Sequence, residues 1–146
     1  MHDSSGAVLW TANRETGIYK LPGGGVEPGE SDEDDLRREL LEECGVHLSV
    51  IGGPLVEVSD VRRDREGPGC FHATTICYPA RPRDSERHEP RRLHDYEHAN
   101  DLVAVWERAR VALQRMVVAD ERHRTPPWHA REMLTVMWLI ANRVVT

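Results

Sequence analysis

The chain has 146 residues, of which 39% are hydrophobic and 30% charged, and a formal net charge of −6. That length and composition predict one soluble domain over residues 1–146, able to bury about two-thirds of its unfolded surface. The acidic balance lacks the sequence-independent attraction to phosphate of a nucleic-acid interface, and no apolar run nears the ~20 residues of a membrane span, so polymeric nucleic acid and membranes are excluded as partners.

In chain order, Ala7–Trp10 and Ile18–Leu21 are apolar runs on either side of a polar turn and predict two short strands. Leu21-Pro22-Gly23-Gly24-Gly25 follows, a loop whose backbone can approach a ligand or ion closely. A helix is then predicted up to Cys44. Ser31 with Asp34 makes an S-x-x-D cap, Asp32 and Glu33 suit the positive end of the helix dipole, and Gly45 supplies a left-handed stop. Leu36, Leu40 and Cys44 form an apolar stripe that would dock this helix on a sheet. Beside the stripe stand Glu39, Glu42 and Glu43 at i, i+3 and i+4, within one arc of roughly 100°. Like charges so placed cost stability unless a cation sits among them, and a hard divalent ion such as Mg²⁺ takes carboxylate oxygens.

Further on, His47 to Val58 reads as a strand with a bend at Gly52-Gly53-Pro54, and Cys70 to Tyr78 as its hairpin partner across a charged loop, Ser59 to Gly69. Arg62, Arg63 and Arg65 in that loop read as a solvated hairpin tip before they read as phosphate ligands. Arg81 to Asn100 is a long polar segment in which His94 and His98 lack the further ligands of a zinc site. Leu102–Trp106 predicts a last strand, and Ala109, Ala112, Leu113, Met116 and Val117 a helix. Beyond Pro126-Pro127, a final helix from about His129 to Asn142 carries apolar side chains all round, more than one sheet face needs, which predicts a homodimer. Trp10, Trp106 and Trp138 read as packing residues. Three cysteines without a C-x-x-C pair, and no signal peptide, suit a reducing, cytoplasmic setting.

The stretch Gly24 to Val46 resembles the Nudix box, G-x5-E-x7-R-E-U-x-E-E-x-G-U with U a bulky aliphatic residue. Gly24, Glu30, Arg38, Glu39, Leu40, Glu42, Glu43, Gly45 and Val46 fill all nine specified positions. A chance match in a chain of this length has odds of roughly one in ten million. The resemblance implies an α/β fold, the Nudix α/β/α sandwich with a mixed β-sheet, here with its usual first strand missing or truncated. It also implies a hydrolase that attacks the pyrophosphate of a nucleoside diphosphate linked to another group.

Carried over by position, Glu39, Glu42 and Glu43 would bind Mg²⁺, or Mn²⁺ in its place, and the Gly23 carbonyl would add a ligand. Arg38 would fix the carboxylates by pairing with Glu30 or a ligand glutamate, and Glu42 or Glu97 would take the proton from the attacking water, with Asp101 in reserve. Gly23, Gly24 and Tyr19 would meet the small-molecule nucleotide, Tyr19 or Phe71 by stacking on its base. The Pro-Gly-Gly lead-in, with no S-Q-P-W-P-F-P signature and no proline some fifteen residues past the box, points to a nucleoside triphosphate, including an oxidised one. ADP-ribose or a nucleotide sugar is the alternative substrate. A non-catalytic nucleotide-binding module is the alternative from another class.

Overall fold

Val8–Asn13 forms the central strand β1, whose residues from Val8 to Ala12 are buried on both faces. Val8, Trp10 and Ala12 enter one core cluster and Leu9 another. The computed structural model describes residues 5–50, 52–63, 67–83, 101–122 and 125–145, without the side chains of residues 49 and 50. Asn13 turns the chain into β2 (Ile18–Lys20) by accepting the Glu15 and Thr16 amides on its side-chain oxygen. Antiparallel pairing with β7 (Val103–Glu107) on the other flank gives a three-stranded sheet ordered β2-β1-β7.

Helix α1 (Asp32–Cys44) starts and stops where the sequence predicts. The Ser31 side chain accepts the Asp34 amide at 3.2 Å, and Gly45 adopts φ 68°, with Gly45 and Val46 donating back to Leu41 and Leu40. Leu9, Cys44 and Val46 pack where α1 meets one face of the sheet. On the other face, Val8, Trp10, Ala12 and Tyr19 meet Ala109, Ala112 and Met116 of α2 (Ala109–Glu121) and Val136 of α3 (His129–Ala141). A sheet with helices on both sides is the α/β/α arrangement expected. Every strand pairing among the described residues is antiparallel.

The middle of the chain differs from expectation in register and extent. The run read as one strand from His47 splits at Gly52 into β3 (Leu48–Val50) and β4 (Val56–Arg63). Only β4 pairs with β5 (Cys70–Cys77), from Val56 opposite Cys77 to Arg63 opposite Cys70, while β3 pairs with β6 (Ala80–Pro82). Arg62 and Arg63 are therefore strand residues and not part of a loop, and Arg62 lies over the exposed Phe71 ring at 4.9 Å. Past Ser59 the strand is carried by pairing with β5, Asp60 to Arg63 lying opposite Ala73 to Cys70. Of the three tryptophans read as packing residues only Trp10 is buried; Trp106 and Trp138 remain over a third exposed.

His129, at the start of α3, is fully buried, and burial holds its imidazole below the ordinary range. The unfolded chain therefore takes up this proton first as pH falls. The contribution is full above the unfolded value of about 6.5 and is lost as pH drops through and below it. Thermal melts from pH 8 to 5 should show a steeper loss of stability for the wild type than for His129→Leu. Equal slopes would contradict the assignment.

Candidate active site

Arg38 is the hub of the predicted metal face. Its Nε and Nη2 each donate at 3.0 Å to one oxygen of Glu30, the bidentate geometry natural to a guanidinium. Nη2 also reaches Asp35 at 2.7 Å, and Nη1 reaches Glu39 at 2.6 Å and Glu42 at 3.4 Å. One cation thus serves four carboxylates, and these bonds raise the Arg38 pKa while lowering that of Glu30. The expected pairing of Arg38 is present with Glu30 and with two of the three box glutamates.

Glu43 has different partners. Its side chain is 1% exposed, with Oε1 2.5 Å from Lys20 Nζ and Oε2 accepting the Gly23 amide at 3.0 Å. Burial pushes its carboxyl above the usual range despite Lys20, and burial also raises Asp35, with the Glu39 charge adding to the shift. Glu39 is 5% exposed and lies against Gly24, where an added Cβ would overlap its carboxylate. Of the box glutamates Glu42 has the most exposed side chain, 26% against 7% for Glu39 and 1% for Glu43.

Gly23 and Gly24 are therefore placed against the carboxylate face. Tyr19 is not: it is fully buried, edge-to-face on Trp10 with ring centroids 5.9 Å apart. Its assignment to substrate is corrected, because an inward-facing strand position in the core leaves no face for a base. Glu97 lies outside the described residues, as do His94 and His98. Asp101 is exposed at φ 49° ahead of β7. A cavity of about 480 Å³ opens beside the glycine loop. Gly23–Val26, Asp35, Leu36, Thr74–Tyr78 and Arg131 are among the residues that line it; Glu39, Glu42 and Glu43 are not.

Three participants escaped the sequence reading. Asp35 stands one turn before Glu39, so a ladder of Asp35, Glu39 and Glu43 at four-residue spacing was there to be seen. Lys20 belongs to the strand ahead of the loop. Glu132 of α3 is buried and accepts the Leu21 amide at 3.2 Å; nothing local in the sequence links it to the box.

The donor set fits a hard divalent ion. All its donors are carboxylate oxygens, two of the three glutamates are buried, and the missing Cβ of Gly24 leaves room at Glu39. Among the described residues no three His, Cys, Asp or Glu side chains stand grouped as around a bound ion. Lys20 pairs with Glu43, and Arg38 Nη1 with both Glu39 and Glu42.

The glycine loop, the capped helix and the Arg38-centred carboxylates define a Nudix-type site, and residues 1–132 match the NUDIX domain family. The chain belongs to that family. It is 38% identical over 48 residues to a Bacillus subtilis (strain 168) protein provisionally named an 8-oxo-dGTP diphosphatase, covering 33% of this chain and 32% of that one. Two proteins named Nucleoside triphosphatase NudI are also similar. The one from Enterobacter sp. (strain 638) is 53% identical over 34 residues, and the one from Escherichia fergusonii 62% over 32, covering 23% and 22% of this chain. The matches span 32%, 24% and 23% of these relatives' own lengths, at most a third.

Proposed function

We propose that the protein is a divalent-metal-dependent nucleotide pyrophosphohydrolase acting on a nucleoside triphosphate, oxidised triphosphates included. The observation that carries this reading is the Arg38 hub, which orients Glu39 and Glu42 while Lys20 orients Glu43. A solvated helix face would need no such buried charge arrangement. The names of the similar proteins support a triphosphate substrate, and a cavity of about 480 Å³ beside the loop is of the size that takes a small ligand.

Glu39, Glu42 and Glu43 would hold Mg²⁺, with Mn²⁺ as its alternative. The ion supplies neutralisation of phosphate charge and a more acidic bound water. The protein's own part is positional. Arg38 keeps the carboxylates of Glu39 and Glu42 in place, and the Gly23 amide with Lys20 does the same for Glu43. Glu42, the box glutamate most open to water, is the group best placed to accept the proton of the attacking water. The exposed Leu134, Met137 and Trp138 on α3 support a homodimer, for which light scattering at micromolar concentration is the test. Free cysteines at positions 44, 70 and 77 support a cytoplasmic setting.

The test is a panel of canonical and oxidised triphosphates, ADP-ribose and dinucleoside polyphosphates, assayed with Mg²⁺ or Mn²⁺ and with a chelator. Triphosphate turnover that stops on chelation is the expected result. ADP-ribose turnover alone would move the substrate class. Tight nucleotide binding without turnover would favour the non-catalytic module.

A further inference from the structure

The Leu21–Gly23 segment is held from both sides by buried carboxylates. Glu43 of α1 accepts the Gly23 amide at 3.0 Å, and Glu132 of α3 accepts the Leu21 amide at 3.2 Å. Lys20 Nζ sits 2.5 Å from Glu43. Burial raises the Glu132 carboxyl, and the Leu21 amide and the charges of Lys20 and Arg131 act against that rise. The neighbouring Arg131 is directed elsewhere, to Asp60 Oδ2 at 3.0 Å and Thr75 at 2.7 Å. One backbone amide could be satisfied by a neutral acceptor, whereas a carboxylate that is 7% exposed carries a desolvation cost. Positive charge nearby offsets that cost; of the two cations acting on Glu132, Arg131 is bonded to Asp60 and Thr75, and Lys20 to Glu43.

We propose that Glu132 is a positioning residue for the box: by holding the Leu21 amide and sharing Lys20 with Glu43, it sets the divalent-ion affinity of Glu43 from a separate helix. The proposal rests on the reading of the box as a metal site. An ion on Glu43 competes with Lys20 for the same carboxylate. Glu132 is the acceptor that keeps the displaced ammonium compensated, which lowers the cost of displacement. A merely structural Glu132 would affect melting and nothing else.

The experiment titrates Mn²⁺ by electron paramagnetic resonance in the wild type, Glu132→Gln and Glu132→Leu, and follows amide hydrogen exchange at Leu21 and Gly23. Glu132→Gln keeps an acceptor and drops the charge; Glu132→Leu drops both. Mn²⁺ affinity should fall about 10-fold in the first and up to about 100-fold in the second, the range for residues that orient metal ligands. Leu21 exchange should accelerate in Glu132→Leu alone. Folded variants with wild-type Mn²⁺ affinity would overturn the proposal, whatever their melting temperatures, and if Glu132→Leu does not fold, Glu132→Gln decides. A wild type that binds no Mn²⁺ would overturn the metal reading and this proposal with it. A wild type that binds Mn²⁺ without hydrolysing nucleotides would overturn only the enzymatic reading.

Discussion

Arg38→Gln is expected to lower turnover by about 10- to 100-fold and to lower the melting temperature of the metal-free protein. The first effect is typical of losing a group that orients metal ligands. The second follows because Glu30, Asp35, Glu39 and Glu42 lose their shared cation at once. Arg38 is a quarter exposed, so the loss is smaller than for a fully buried ion pair. Added Mg²⁺ should recover part of the melting temperature, since the ion restores positive charge to the same face. Arg38→Lys should recover little turnover, because an ammonium cannot make the bidentate bond to Glu30. Unchanged melting and turnover in Arg38→Gln would show that the hub orients nothing that matters.

Gly24→Val is the second large effect, a loss of about 100-fold in turnover from a misplacement of the order of 1 Å. A Cβ at Gly24 would overlap the Glu39 carboxylate, which must then leave Arg38 or force the loop outward. Gly25→Ala is the matched control one residue on, where an added Cβ meets nothing within 4 Å. Its effect should be several-fold at most, and the comparison is made on kcat and Mn²⁺ affinity together. Equal losses in the two variants would mean that loop flexibility, not the Glu39 contact, is what Gly24 supplies.

The parts of this molecule legible in the sequence are those governed by local rules. Helix α1 could be bounded because Ser31 and Gly45 act on backbone groups within a turn of themselves. The carboxylate face could be read because helical geometry fixes which of Glu39, Glu42 and Glu43 are neighbours. The pairing of Arg38 with Glu30 or a ligand glutamate was implied by the resemblance to the Nudix box, and the structure shows Arg38 bonded to both kinds of partner.

Long-range placement was not legible. Tyr19 and Phe71 look alike as aromatics that could stack on a base until β1 and α2 close over Tyr19, while β5 leaves Phe71 exposed beside Arg62. The partner of β3 depended on a bend at Gly52 whose consequence is tertiary. Glu132 reaches Leu21 only after the intervening chain has folded back, so no window of sequence could connect them.

The most direct measurement is the rate of triphosphate hydrolysis by the wild type and by Glu42→Gln at one saturating Mg²⁺ concentration, with both proteins shown to be folded. Glu42 is the box carboxylate open to water, and its replacement leaves the Arg38–Glu30 pair and the Lys20–Glu43 pair intact. Metal-dependent hydrolysis by the wild type, reduced at least 100-fold in Glu42→Gln, is the predicted result, a size within the range for losing a general base. Hydrolysis that persists unchanged in Glu42→Gln would contradict the assignment of chemistry to this carboxylate face.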